Sequence, residues 1–257
     1  MTKLLVKAMK KKPIILRIND VLKNFLKKSW LGEKIYIKLL KPIWLSYRLP
    51  KARKLMNEHG YEILARAHSV FRKHHIPYYC DAGTLLGFVR DGGFIKGDAD
   101  FDFSILPEYG SLVNALQTLL SEGYRFVYAY KFQGRLLEFT VMDPKVDLSM
   151  DVFQSEYLDD TRKKLIVRYL RWFKGRDYPT PQDNSALEFQ FAAPTGIKEM
   201  IVHGVTVDVP ENAEAVLDDE YGPWRKYDPN FRSDMIPHVE SPYFAHRLTE
   251  DEALAME

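Results

Sequence analysis

The densest chemistry in the sequence lies between Asp81 and Phe103, DAGTLLGFVRDGGFIKGDADFDF, a stretch with five glycines and five aspartates. Asp98, Asp100 and Asp102 stand at alternate positions. In an extended chain successive side chains point to opposite faces, so these three carboxylates share one face while Ala99, Phe101 and Phe103 turn into a core. Carboxylates crowded on one side of a strand repel unless something neutralises them. A hard divalent cation does so through oxygen ligands, and Mg²⁺ or Mn²⁺ suits carboxylates combined with phosphate. Taken alone, the DxDxD pattern describes a solvated acidic edge equally well.

The flanking residues favour the metal. Gly83 and Thr84 are expected to open a short helix whose free N–H groups suit phosphate oxygens. Arg90 and Lys96, between that turn and the acids, supply cations that match phosphate. Further on, VDLSMDVF sets Asp151 between Met150 and Val152, so that the acid again points away from its apolar neighbours. A glycine turn and helix, two aspartates on one strand and a lone aspartate on a later strand form the nucleotidyltransferase pattern. In such sites metals bridge the phosphates, and the third carboxylate completes the metal site or takes the proton of the attacking hydroxyl.

The elements that must position these residues read as a mixed α/β domain from Pro50 onward. Residues 51–75 predict a helix with Leu55, Ile63, Leu64, Ala67 and Phe71 inward, ended before Pro77. IPYYCDA reads as a short strand, GTLLGFVR as a short helix and FDFSIL as a strand. Leu112 to Leu120 make a helix closed by Gly123. YRFVYAYKF, LLEFTVM and VDLSMDVF follow as strands, broken near Gly134 and Asp143-Pro144. Residues 160–200 give no clear element: a run RKKLIVRYLRWFKGR precedes a proline-containing loop. Its cations, Lys163, Lys164, Arg168, Arg171, Lys174 and Arg176, fit a solvated helix face or a surface that meets an anionic substrate. GVTVDVP predicts a strand, ENAEAVLDDEYG a helix and TEDEALAME a frayed tail. Asp81 and Asp147 are further acids within reach of the site, Asp147 equally well placed in solvent at a strand start. Tyr221 and Trp224 read as core-closing residues, and His74-His75 as an exposed pair at a helix end.

Composition bounds the rest. The 257 residues are 46% apolar and 28% charged, ordinary for one globular domain with an appendage. A single cysteine, Cys80, permits no internal disulfide or Cys-rich zinc site and favours a reducing compartment. The net charge of +2 conceals a polarised chain: residues 1–54 hold thirteen Lys and three Arg against Asp20 and Glu33. Residues 1–49 therefore form a basic arm, with apolar residues at near-helical spacing in two segments, Ile14 to Leu26 and Ile35 to Leu45. No apolar run approaches the ~20 residues that span a bilayer, and the start lacks the apolar core and cleavage site of a secretory signal. The arm fits helices packed on the body or an interfacial pair on anionic lipid, at ~1 kcal/mol per basic residue near the surface. No groove-reading motif argues for nucleic acid.

The stretch from Asp81 to Phe103 resembles the signature of the LicD/fukutin family of phosphotransferases. The resemblance continues through MDVF (150–153) and GVTVDVPENAEAVLDDEYGPW (204–224) and covers about Pro50 to Pro229, leaving the arm outside. It implies a nucleotidyltransferase-like mixed sheet flanked by helices, over residues 50–257. It implies transfer of a phospho-alcohol, such as phosphocholine or ribitol phosphate, from a CDP-activated donor to a sugar hydroxyl of a surface glycan or a lipid-linked precursor. By the same resemblance Asp100 and Asp102 are metal ligands for Mg²⁺ or Mn²⁺, Asp151 is the third acid, and Gly83, Thr84 and Arg90 belong to a phosphate cradle, with Lys96 and Asp98 beside it. Gly97 stands where many members have Trp, and Ala99 where the bacterial branch commonly has Asp; neither is a metal ligand. The expected location is the cytoplasmic membrane face, with the arm on anionic lipid. Two rivals stand beside this reading: a nucleotidyltransferase that consumes a nucleoside triphosphate, and a non-catalytic membrane adaptor that keeps the fold.

Overall fold

The computed structural model describes residues 41–256 except 174, 175, 181, 233 and 234. The chain divides into two compact units, Met1–Lys51 and Ala52–Glu257. The arm over residues 1–40 lies outside the described residues. No helix among the described residues is long and apolar enough to cross a membrane.

Helix α1 spans Lys41–Lys73. It therefore does not start after Pro50, as the proline signal predicts, but passes through it. Interior proline loses one i→i−4 hydrogen bond and crowds the i−4 carbonyl, at ~3 kcal/mol, and the helix of 33 residues runs through it nonetheless. Within Ala52–Glu257, α1 buries Met56, Ile63, Leu64, Ala67, Val70 and Phe71, which recur at the three- and four-residue spacing of one helical face. Arg72 and Lys73 occupy its last turn, where cations complement the helix dipole.

Strands β1 (Tyr78–Cys80), β2 (Asp100–Ile105), β3 (Arg125–Phe132), β4 (Arg135–Met142) and β5 (Ser149–Phe153) follow, with β6 (Glu156–Tyr157), β7 (Lys164–Arg171), β8 (Asp183–Ala192) and later β11 (Val239–Leu248). They form one nine-stranded sheet in the order β1-β2-β5-β4-β3-β11-β8-β7-β6. Its described pairings are antiparallel except β2 with β5, which run parallel. A separate hairpin, β9 (Ile197–Val202) and β10 (Val205–Pro210), turns at His203 and Gly204, whose φ values of 48° and 80° suit a tight two-residue loop. Between strands lie α2 (Ala82–Leu86), continued by a π-helical turn over Gly87–Asp91, then α3 (Leu112–Ser121), α4 (Ala213–Tyr221) and α5 (Glu250–Leu254).

The principal core joins α1, α3, α4 and α5 to one face of β1, β2, β5 and β4. Phe101 and Phe103 both point into it, fully buried with parallel rings 6.2 Å apart, and Tyr78 stacks on Phe71 at 4.4 Å. Burial of such rings contributes roughly 2–3 kcal/mol each, so the alternation in FDF fixes which face of β2 its acids occupy.

Three elements go beyond the sequence reading. The basic run after Arg162, which gives no clear element beforehand, is strand β7, paired with β8 from Lys164↔Ala192 to Arg171↔Ser185. Strand β11 carries no clear sequence signal, since Pro242 interrupts it and a register shift follows Glu240. The expected frayed tail is helix α5, held by a capping box in which Thr249 and Glu252 bond each other's backbone N–H.

Candidate active site

Asp100 and Asp102 lie on β2, opposite the buried Phe101 and Phe103. In the parallel β2–β5 register Asp102 faces Asp151, while Phe101 faces Met150 and Phe103 faces Val152. The two acids are therefore neighbours on adjacent strands, about 4.8 Å apart along the sheet. Thr140 of β4 is next in the row, and its hydroxyl donates to Asp151 Oδ1 at 2.5 Å. Asp98 precedes β2 and reaches the same place through a turn, Asp98 N to Ile95 O at 3.0 Å. Its carboxylate accepts from Ala99 N at 3.0 Å and shares a hydrogen bond with Asp100.

The electrostatics follow from this crowding. Burial, then the charge of Asp100, pushes Asp98 up to about 6, against the partial relief of Arg53. Arg53 also donates to the carbonyl of Gly97 at 2.7 Å. Asp102 is held well above the usual carboxylate range, first by burial and then by Asp100, Asp151, Asp98 and Asp81. Burial and four neighbouring acids all oppose its ionisation.

Gly83 faces this cluster. A Cβ built on it would lie 3.3 Å from Asp102 Oδ2 and 3.4 Å from Asp98 Oδ2, so the missing side chain leaves room directly against the carboxylates. Asp81 caps α2 by accepting from Ala82 N at 2.9 Å and also accepts from Ser104 Oγ at 2.5 Å. Burial raises its carboxyl. Ala82 adopts φ 43°, a left-handed value that strains a residue with a Cβ.

The predicted cradle is thus built differently. The first N–H of α2 is already taken by Asp81, which weakens the case for a phosphate on that helix end. Thr84 is buried, and its hydroxyl accepts from Asp102 N at 2.9 Å, tying α2 to β2. Arg90 is engaged by both oxygens of Asp91, at 2.8 and 2.7 Å, with its guanidinium 5.9 Å from the Tyr227 ring centre. Lys96 is exposed. The structure brings together Gly83, Asp98, Asp100, Asp102 and Asp151, together with Asp81; Arg90, paired with Asp91, lies within electrostatic reach of Tyr221, which lines the cavity beside Gly83 and Asp102. Asp147 pairs with Arg125 at 2.9 Å instead. Trp224 is buried with Nε1 donating to Asp218, and His74 bonds Glu122 at 2.7 Å beside the exposed His75.

From Gly83 and Asp102 a cavity of about 240 Å³ runs between β1–β2 and β7, closed by the end of α4. Tyr79, Asp81, Ser104, Tyr169, Glu220 and Tyr221 give it hydroxyls and carboxyls; Arg168 and Arg171 enter from β7. Tyr221 packs against the core, as expected, and also lines this cavity. Glu220 is buried and bonded by the Tyr169 hydroxyl; burial, then the charge of Asp81, pushes it up to about 8. Glu138 of β4 is likewise pushed up to about 8, by burial and then by Asp151. Neither is legible as a site residue beforehand. Glu220 is one of three successive acids, although Glu138, a lone acid in LLEFTVM, carries a faint signal. Among the described residues no group of three His, Cys, Asp or Glu side chains is placed so as to hold a metal ion. The nearest approach to a donor set is the facing pair Asp102 and Asp151, with Asp100 beside it on β2.

A mixed α/β sheet that gathers acids from two adjacent parallel strands beside a glycine turn is a nucleotidyltransferase-type site. Residues 75–212 match the LicD/FKTN/FKRP nucleotidyltransferase domain, and the chain belongs to that family. An uncharacterized protein of Rickettsia typhi is 28% identical over 107 residues, which cover 39% of this chain and 34% of that protein. An uncharacterized protein of Rickettsia prowazekii is 40% identical over 48 residues, covering 19% and 18%. The match therefore spans about a third or less of the length of either relative.

Proposed function

We propose that the protein is a metal-dependent phosphotransferase that moves a phospho-alcohol, such as phosphocholine or ribitol phosphate, from a CDP-activated donor to a sugar hydroxyl of a surface glycan or its lipid-linked precursor. The observation that carries this reading is the facing pair Asp102 and Asp151, with Asp98 and Asp100 crowded beside them and Gly83 leaving space against the carboxylates. Such a donor set fits a hard divalent cation, Mg²⁺ or Mn²⁺, held by Asp100, Asp102 and Asp151. When bound, the cation neutralises the diphosphate and the departing CMP.

The acceptor oxygen forms a bond to the phosphorus that carries the alcohol. The bond from that phosphorus to the bridging oxygen breaks, and CMP leaves with the electron pair. The hydroxyl proton passes to a carboxylate. Asp151 is the group oriented for this, since the Thr140 bond fixes its carboxylate on the row. Glu138, with its carboxyl near 8, holds a proton at neutral pH and so adds no further negative charge beside Asp151. The basic arm would keep the enzyme at the cytoplasmic membrane face, where lipid-linked acceptors lie.

The test is release of CMP from CDP-choline, CDP-ribitol and CDP-glycerol, with and without Mg²⁺. Metal-dependent CMP release from any one supports the reading. Pyrophosphate release from a nucleoside triphosphate, without CMP release, would replace it with nucleotidyl transfer.

A further inference from the structure

Arg247 of β11 is half-buried and lies on the same face of the sheet as the acid cluster. Asp102, Asp151, Thr140 and Tyr128 are mutual partners across β2, β5, β4 and β3, and so form one row. Arg247 faces Tyr130 across β3 and β11, one step along that face. Its guanidinium lies over the ring of Tyr128, with Cζ 5.2 Å from the centroid. Tyr128 faces Thr140 across β3 and β4, and the Thr140 hydroxyl donates to Asp151. A row of cross-strand neighbours therefore runs from the guanidinium to the acid. Two strand spacings separate Tyr128 from Asp151, on the order of 10 Å.

Among the described residues no carboxylate lies within ion-pair distance of Arg247. Arg168, on β7, is by contrast taken up by Glu156 at 2.7 Å and Glu188 at 2.9 Å. The nearest acid along its row, Glu138, faces Tyr130 from β4, one strand further from Arg247. A half-buried guanidinium with no carboxylate partner is suited to meet an incoming anion. Stacking on Tyr128 pre-orients the planar fork, which suits two phosphate oxygens.

We propose that Arg247, carried on Tyr128, is an anion subsite that holds a phosphate group of a substrate beyond the carboxylate cluster. The inference deepens the phosphotransferase reading and rests on it for the identity of the substrate. The phosphate belongs either to the donor diphosphate or to a phosphorylated acceptor.

The first test needs no turnover. The full-length protein is titrated with inorganic pyrophosphate in EDTA, by calorimetry, for wild type and for Arg247→Gln, Arg247→Lys and Tyr128→Leu. The basic arm is common to all four, so the difference between proteins is the readout. We expect one binding event to weaken at least tenfold in Arg247→Gln and Tyr128→Leu and to be partly kept in Arg247→Lys. Unchanged pyrophosphate binding in Arg247→Gln, with a native far-UV spectrum, overturns the subsite. In turnover, a raised KM for the CDP-alcohol alone assigns the donor phosphate, and a raised KM for the acceptor alone assigns the acceptor phosphate; neither effect also overturns it. If pyrophosphate binding depends on Arg247 but no CDP-alcohol is ever cleaved, the subsite stands and the transfer reading falls.

Discussion

Glu220→Gln should remove a large pH dependence from the stability of the domain. Glu220 is 4% exposed, is bonded by the Tyr169 hydroxyl, and lies near the carboxylate of Asp81. Burial and that neighbour raise its carboxyl from 4.5 to about 8. A raised acid binds its proton more tightly in the folded state. Its contribution is therefore fully present below pH 4.5, where both states are protonated, and is lost as pH rises toward 8. At about 1.36 kcal/mol per pH unit, the loss approaches roughly 5 kcal/mol by the top of that range. Glutamine keeps the shape and an acceptor for Tyr169 but cannot ionise. Relative to wild type, the variant should gain stability steadily from pH 5 to pH 8. For a domain of this size each kcal/mol shifts the melting temperature by about 2–4 °C, so even half the expected gain is readily measured. The assay is urea and thermal unfolding of both proteins at each pH from 5 to 9. Asp81→Asn is the companion, and should bring the Glu220 titration to lower pH. A difference between wild type and Glu220→Gln that stays flat within about 0.5 kcal/mol over this range would refute the burial argument.

Asp102→Asn should abolish CMP release yet make the metal-free protein more stable than wild type at neutral pH, because it removes a charge opposed by burial and four acids. Mg²⁺ should raise the melting temperature of wild type only; full activity in the variant, or wild-type activity that survives EDTA, contradicts the metal assignment. Gly83→Ala sets a methyl 3.3 Å from Asp102 Oδ2, so turnover should fall about tenfold or more with stability changed by less than about 1 kcal/mol. Equal activity would mean that no ligand uses that space. Thr140→Val removes the 2.5 Å bond to Asp151 and should lower kcat with KM unchanged; a pure KM effect would move Asp151 out of the chemistry. Full-length protein should co-sediment with anionic vesicles at low salt and be partly released at 1 M, as the Debye length falls from ~10 Å to ~3 Å. A chain beginning at Lys41, which keeps α1 whole, should stay folded and lose vesicle binding; undiminished binding would remove the arm's proposed role.

Local pattern determined a good part of this protein. The alternation of Asp100, Phe101, Asp102 and Phe103 assigns a strand, a buried face and an acidic face at once, because the period of a strand is two. The same logic places Asp151 between Met150 and Val152. Glycines at turns, such as Gly134 and Gly204, mark hairpins because their backbones take left-handed φ values. Pattern misled where two local signals competed. Pro50 reads as a helix boundary, yet the helix runs from Lys41 to Lys73. The run of β7 gives no clear element because Leu165, Ile166, Val167, Tyr169 and Leu170 are nearly continuous, with neither a helical nor a strand period.

What only the tertiary structure decided is which residues face one another from distant parts of the chain. The order β2-β5-β4-β3-β11 sets Asp102, Asp151, Thr140 and Tyr128 in a row and brings Arg247 onto it from 96 residues beyond Asp151. Nothing near Arg247 in the sequence announces that. Gly83 reads as a helix opener beforehand, and it is the fold that turns its bare Cα toward Asp98 and Asp102. Arg90 reads as a phosphate ligand by type and position, but the π-helical turn hands it to Asp91. Glu220 and Glu138 gain raised pKa values only when packing strips their water and sets Asp81 and Asp151 beside them. Residue types and short-range periodicity are written in the sequence; register between distant strands and the desolvation of a buried charge are collective properties of the packed chain.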